Sequence, residues 1–231
     1  MAVLTVAFAG ALMLVTHLGI SGTGMRDRLV TGLGEGTYLG LYSLLTIVTM
    51  GSLIWLFAQA PRTSYFWYPS YELNYVPKVL LWPACVLLVG GFMVRNPTLM
   101  GQGALLDDDA GRDAAAQGVN RITRHPFQWS VILWATSHLI SNGDRVSVAF
   151  FASFLLLSLL GTFSLDAKKA RQIGSPWAGY ARVTSNWPFA AILRGDNQLR
   201  LGELLLPALA GTALYAAMYF GHEWLAGVGI Y

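Results

Sequence analysis

The chain has 231 residues, of which 55% are apolar and only 12% charged. That charged share is about half that of a soluble domain, so the sequence reads as an integral membrane protein. Lys and Arg outnumber Asp and Glu by 15 to 12. In such a chain a basic excess records topology and does not point to nucleic acid, and the single cysteine, Cys85, excludes an internal disulfide.

A span needs about twenty apolar residues to cross roughly 30 Å of hydrocarbon. The first such stretch, Ala2–Ile20, has no basic n-region and no small-residue cleavage site before Arg26, so it reads as a retained helix and not as a cleaved signal. It places Gly10, Leu14 and His17 on one face, with Gly10 permitting close approach of a neighbour. The second span, Thr37–Ala58, follows Glu35; the third is Val76–Val94. Between them, Tyr65, Trp67, Tyr68, Tyr71 and Tyr75 fit an interfacial aromatic belt. The next connection carries Asp107–Asp109 and Arg112-Asp113 and reads as a solvated polar loop.

The fourth span, Pro126–Ser141, is short, and only Asn142–Arg145 separates it from the fifth, Val146–Leu165, so the two form a tight antiparallel hairpin. The segment 166–200 carries Trp177, Tyr180, Trp187, Pro188 and Phe189 among its charges. It is too aromatic for a disordered linker and is predicted to pack on the membrane face or on the bundle. A sixth span, Leu204–Phe220, leaves His222 in the tail beyond it, where it reads as an interfacial residue. The result is one all-α domain, a polytopic bundle of about six spans. Arg and Lys divide twelve against three in favour of loops one, three and five, which places those loops in the cytoplasm and both termini outside.

Ionisable groups within spans are costly and mark candidate sites. His17 and His138 are such groups, and two neutral imidazoles inside a bundle form a donor set for haem iron or another metal. Phe127, Val131, Trp134 and His138 follow spacings of four, three and four, which lines them along one helical stripe suited to a porphyrin or a long conjugated ligand. Plain aromatic packing would produce the same stripe. Arg124-His125-Pro126 opens the fourth span, with Pro at a tolerated first-turn position. Arg124 and His125 either anchor the helix at the headgroups or grip an anionic group such as a haem propionate or a cofactor carboxylate.

Several strings resemble the NnrU family of membrane proteins, which includes bacterial NnrU proteins linked to denitrification and the plant 15-cis-zeta-carotene isomerase. They are Thr16-His17-Leu18-Gly19-Ile20-Ser21 with Arg26, Gly34 and Tyr38; Arg121-Ile122-Thr123-Arg124-His125-Pro126 with Leu133-Trp134; Ser137-His138 through Gly143-Asp144; and Thr184-Ser185 with Pro188-Phe189-Ala190-Ala191-Ile192. The resemblance implies haem b, its iron held by His17 and His138, with Ala135 standing where the plant enzyme has a cysteine.

With each span centred in the bilayer, His17 and His138 lie about 16 Å apart in depth at ~1.5 Å per residue. Two imidazoles on one iron hold their backbones roughly 12–13 Å apart given metal–nitrogen bonds of ~2 Å. A deeper start for the short fourth span would reconcile the two, and it predicts a recessed hairpin tip at Asn142, Gly143 and Asp144. His17 with His125 is the alternative pair.

Three functions follow as expectations. The first is a haem-b protein of the bacterial inner membrane, either a redox-dependent isomerase of an apolar polyene or a participant in nitrogen-oxide respiration with a redox partner. The second is a membrane S-adenosylmethionine-dependent methyltransferase of the isoprenylcysteine or phospholipid type, using Arg124-His125-Pro126 with Asp166, Trp177, Tyr180 and Pro188. The third is a haem carrier or assembly factor.

Overall fold

The computed structural model describes residues 1–71, 73, 75–99, 106 and 115–229, so the acidic run at 107–109 and the pair at 112–113 lie outside the described residues. The helices are α1 (Ala2–Leu14), which passes into a π-helical stretch (Val15–Ser21), then α2 (Met25–Leu33), α3 (Glu35–Gln59) and α4 (Tyr75–Met93). A 3₁₀ turn (Gly118–Arg121) leads to α5 (Pro126–Ser141), α6 (Arg145–Ile173), α7 (Ser175–Val183), the short α8 (Ala190–Leu193) and α9 (Leu201–Ala226). No strand occurs among the described residues, so the all-α expectation stands.

Five stretches are long and apolar enough to cross a membrane: Ala2–Ser21, α3, α4, α6 and α9. The sixth expected span, α5, begins and ends where the sequence places it but has only 16 residues. It lies in the middle of the fold. Neighbouring contacts run α9–α4, α4–α5, α5–α6, α6–α1 and α1–α3, so α5 has a helix on each side. The rim helices α3 and α9 expose Ile47, Trp55, Leu205, Leu206 and Phe220, the face that lipid would cover.

Helices in lipid associate by close packing of small residues, because hydrophobic burial offers nothing there. Gly10 on α1 abuts Ser153 on α6, the close approach that its lack of a side chain predicts, and Gly22 abuts Ser164. Gly211 on α9 lies so close to α4 that a Cβ would sit 2.6 Å from Val86 Cα. A buried cluster of Val6, Met13, Leu53, Val146, Phe150 and Phe151 fills the junction of α1, α3 and α6.

Two expectations are corrected in extent. Helix α6 continues beyond the apolar span to Ile173, so Asp166, Lys168 and Lys169 are helical and not part of a loop. It ends at Gly174, whose φ of 73° an L side chain adopts only with strain. Helix α9 likewise continues to Ala226, so His222 sits on its last turns and not in a tail.

The tip of the α5–α6 hairpin is buried by protein. The strand-like segment at Tyr65 pairs with Asp144, Phe66 N–H donates to Gly143 O at 2.8 Å, and Arg145 N–H donates to Ser64 O at 2.9 Å. Trp67 O lies directly over Gly143, leaving no room for a side chain. Asp144, 3% exposed, caps α6 by accepting from Ser147 N–H.

Candidate functional site

Two groups of polar residues occupy opposite ends of α5. At its start, His125 is fully buried as the N-cap residue. Its Nε2 lies 2.7 Å from Asp166 Oδ1. The same carboxylate accepts from Arg124 Nε at 2.8 Å and from Arg124 Nη2. An ionised carboxylate accepts only, so the Nε2 bears hydrogen and Nδ1 carries the lone pair in the neutral ring. That Nδ1 is buried with no partner. Burial pushes the His125 imidazole below its usual range, against the opposing pull of Asp166.

Trp177 and Tyr180 close over this group. Both are buried, Arg124 lies 6.0 Å from the Trp177 ring centre, and the Tyr180 hydroxyl has no partner; its burial drives the phenol strongly upward in pKa. The segment 184–191 is sewn to the start of α5: Arg124 N–H donates to Ser185 O, Thr123 Oγ1 to Asn186 O, Trp129 Nε1 to Asn186 O, and Phe189 N–H to Ile122 O. A second ion pair, Arg121 with both oxygens of Glu203, ties the 3₁₀ turn to the start of α9. The prediction that 166–200 packs on the bundle therefore holds for Trp177 and Tyr180. Trp187, at 55% exposed, faces outward.

Arg124 does not present a free cation for an anionic ligand here. Its remaining Nη1 points to Thr184 O at 3.4 Å.

At the other end of α5, Trp134 and His138 do share a face. Their ring centres are 5.0 Å apart, and Phe151 lies 4.7 Å from His138 and 5.2 Å from Trp134, with Phe154 5.5 Å from Trp134. Phe127, first in the expected stripe, contacts Phe92 instead. His138 Nδ1 lies 2.8 Å from Trp134 O, and His17 Nδ1 lies 2.8 Å from Met13 O. A carbonyl only accepts, so each Nδ1 carries the hydrogen and each Nε2 keeps its lone pair when the ring is neutral. That is how metal-binding imidazoles are commonly oriented by a backbone carbonyl, so each ring taken singly has the orientation of a metal-donor imidazole.

The two rings have no contact with each other among the described residues. Gly10 and Gly22 mark where α1 and its π-helical continuation meet Ser153 and Ser164, which sets His17 level with about residue 160 of α6. His138 is level with Phe151. The separation of about nine residues corresponds to ~13 Å in depth, and α6 lies between the two helices' contacts. The ring beside His17 is Tyr42, at 5.9 Å. His125 lies at the opposite end of α5 and has no ring contact with His17 either.

The ring nearest His138 from another helix of the far rim is His222, with centres 6.4 Å apart and planes inclined by 26°. Its Nδ1 lies 2.8 Å from Val228 O. No group of three or more His, Cys, Asp or Glu suited to a metal occurs among the described residues.

The family model for NnrU protein matches residues 4–230. The chain belongs to the NnrU family. It is 32% identical over 114 residues to 15-cis-zeta-carotene isomerase, chloroplastic, of Arabidopsis thaliana, covering 48% of this chain and 31% of that protein. The protein of the same description from Zea mays is 31% identical over 109 residues, covering 46% and 30%. The matched region thus spans less than a third of either relative's own length. No solved structure matches.

Within this NnrU protein the strings that carry the resemblance fall in three places. Arg121–Pro126 and Thr184–Ile192 form the seam at the start of α5, Ser137–Asp144 forms the covered end of α5, and Thr16–Ser21 forms most of the π-helical stretch. π-Helical turns often occur at functional sites. His222 was legible only as a histidine in an expected tail. Had the sixth helix been carried past Phe220, the spacing Tyr215, Tyr219, His222 would have marked a second aromatic face.

Proposed function

We propose that this NnrU protein is a haem-b-binding protein of the bacterial inner membrane that isomerises an apolar polyene in a redox-dependent way. The observation that carries the reading is the surroundings of His138: an imidazole with its Nδ1 fixed on Trp134 O and its Nε2 uncommitted, on a floor of Trp134, Phe151 and Phe154, within the helix bundle. The likeness to the two plant proteins supplies the reaction class. When bound, haem would supply a redox-active iron whose chemistry lowers the barrier to rotation about a polyene double bond.

In this reading Trp134 holds the imidazole's tautomer through its carbonyl, and the aromatic rings give a flat apolar ligand surfaces to lie against. The lipid-facing helices give a polyene dissolved in the bilayer a route to the bundle. An open apolar recess of about 330 Å³, lined by Trp67, Val76, Thr136, Leu139 and Ile140, lies on the other face of α5, away from His138. The ~13 Å difference in depth between His17 and His138 equals about the whole backbone separation that two imidazoles on one metal span, so pairing them as the family resemblance implies would leave little room for lateral separation of α1 and α5.

Methyl transfer has less support. Asp166, Trp177 and Tyr180 do assemble around Arg124 and His125, but the carboxylate occupies the guanidinium that a cofactor carboxylate would need.

The test is purification of the full chain after haem-replete expression, followed by incubation with 15-cis-zeta-carotene in liposomes under reducing and oxidising conditions. Expected are a Soret band and conversion confined to one redox condition, both diminished in His138→Ala. Absence of the band in the wild-type protein would sink the haem reading. A band without conversion in either condition would sink the isomerase reading alone.

A further inference from the structure

We infer that Arg26, Lys168, Lys169 and Arg171 form a binding site for an anionic phosphate, that of a phospholipid headgroup, where α6 meets the end of the π-helical stretch. The inference does not depend on the haem reading, in which none of these four side chains takes part.

The cations gather from two elements. Lys168 Nζ lies 3.3 Å from Ser21 Oγ, and Arg171 Nη2 donates to Gly22 O at 3.2 Å. Lys169 is only 8% exposed, and its one hydrogen bond among the described residues runs to Leu99 O at 3.5 Å, beyond the usual range for such a bond. Arg26, near the start of α2, is close enough to act electrostatically on both ammonium groups.

Their counter-charges are few and loosely held. Among the described residues Lys168, Lys169 and Arg171 make no ion pair, while Asp27 and Glu35 approach Arg26 only at 3.5 Å and are themselves largely exposed. Asp27 also acts on Lys168 from a distance. Asp166, three residues before Lys169, is spent on Arg124 and His125. The contrast is with Arg121 and Arg124, which hold carboxylates at 2.7 and 2.8 Å. A nearly buried ammonium with no counter-charge is costly, so an anion drawn in from outside completes the group. A phosphate offers acceptor oxygens in several directions, which matches two point-like ammonium groups and two guanidinium forks better than a flat carboxylate does.

The level and the neighbouring surface select a lipid as the carrier. The cations lie where the apolar stretch Ala2–Ser21 ends and where α6 passes from Leu165 into charged residues, the level at which headgroups meet a spanning helix. Along α6, Leu156, Leu160, Phe163 and Ala167 are exposed at spacings of four, three and four, and the next step of four is Arg171. That stripe gives an acyl chain an apolar track leading to the cations. Met25 and Leu33 on α2, the helix that carries Arg26, are exposed as well. Basic pockets between membrane helices bind anionic headgroups in this way.

The experiment follows thermal unfolding of the full chain, delipidated in a neutral detergent, with added phosphatidylglycerol, phosphatidylcholine or inorganic phosphate at one ionic strength. Phosphatidylglycerol is expected to raise the midpoint more than phosphatidylcholine, which carries the same phosphate with a balancing cation. Lys168→Gln/Arg171→Gln is expected to weaken the apparent affinity for phosphatidylglycerol roughly tenfold or more. Lys169→Gln is expected to weaken it too, and Lys169→Arg to keep most of it. Arg182→Gln, which removes an exposed cation on α7, is expected to leave the shift unchanged. If Lys169 were merely structural, Lys169→Gln would lower the midpoint equally with every additive and keep the full phosphatidylglycerol shift, and that result would overturn the site. Equal shifts from the two lipids, or a shift lost equally in Arg182→Gln, would overturn it as well. A shift from inorganic phosphate as large as that from phosphatidylglycerol, and lost in the double variant, would overturn the lipid as the carrier.

Discussion

The two ends of α5 handle polar atoms in opposite ways. At the N-terminal end Arg124 and His125 share one carboxylate, Arg121 grips another, and Thr123, Asn186 and Ser185 sew the following segment in place. Lys168 and Arg171 extend the same seam to Ser21 and Gly22 O, at the end of the π-helical stretch. At the outer end the polar atoms are few, and the imidazoles of His138 and His222 each spend one nitrogen on a carbonyl and keep the other. The first end locks where the chain leaves the apolar bundle. The second leaves imidazole lone pairs uncommitted in an apolar setting.

That contrast is broken most directly at Asp166. Removing the carboxylate in Asp166→Ala leaves Arg124 and His125 facing each other, largely buried, with no counter-charge. Loss of one partner from such a group costs about 3–5 kcal/mol. The expected outcome is a sharp fall in thermal stability in detergent, or failure to accumulate, whereas His222→Ala changes stability little. Equal stability in Asp166→Ala and the wild type would show that the seam at the start of α5 is not a lock.

The next effect tests the rim. In Gly211→Val the new side chain meets the α4 backbone at Val86, which has no rotamer to give, so α9 must move off α4. Overpacking of this kind costs about 1–3 kcal/mol. Gly221→Val is the control, since a Cβ there meets only Leu225 Cδ1 at 3.8 Å. Both are read by thermal unfolding, and a similar loss in the two variants would mean that α9 is not seated through Gly211.

Much of this architecture is legible in the amino-acid order. Hydropathy and the charge count give the helices, Pro126 and Asn142 bound α5 to the residue, and the missing side chain of Gly10 anticipates the contact with α6. The grouping of Trp134 with His138 follows from spacing alone. What spacing cannot give is depth across helices that are not neighbours in sequence. His17 and His138 look paired because both are span histidines in related strings, yet their levels are fixed by where α1 and α5 meet α6, a tertiary property. The continuation of α6 through Asp166 was hidden because charged residues mark the end of an apolar run without marking the end of a helix. His222 was hidden for the same reason in reverse: Gly221 and Glu223 beside it look like a tail.

A smaller effect separates the two ends by pH. Burial lowers the pKa of His125 below 6.5, so the fold holds that ring neutral. As pH falls below 6.5 the unfolded chain takes up a proton that the folded chain resists, and stability falls with it; above 6.5 the contribution is flat. Thermal unfolding between pH 7.5 and roughly pH 5 is expected to show this decline, and His125→Gln, which keeps an N–H toward Asp166 but does not titrate, is expected to flatten part of it. An unchanged slope in that variant would assign the decline to other groups.

The smallest effect concerns how α9 is held at all. Trp82 Nε1 donates to Thr212 Oγ1 at 3.0 Å across the α4–α9 contact, on a face that lipid would cover. Hydrogen bonds between membrane helices average about 0.6 kcal/mol, because a displaced donor finds another acceptor in the bundle. Thr212→Val keeps the shape and removes the acceptor, so its loss in thermal stability is expected to be well below that of Gly211→Val one position away. Thr212→Ser is expected to restore it. If Thr212→Val costs as much as Gly211→Val, α9 is held by its polar contact and not by close packing, and the rim would then follow the same logic of satisfied polar partners as the seam at the start of α5.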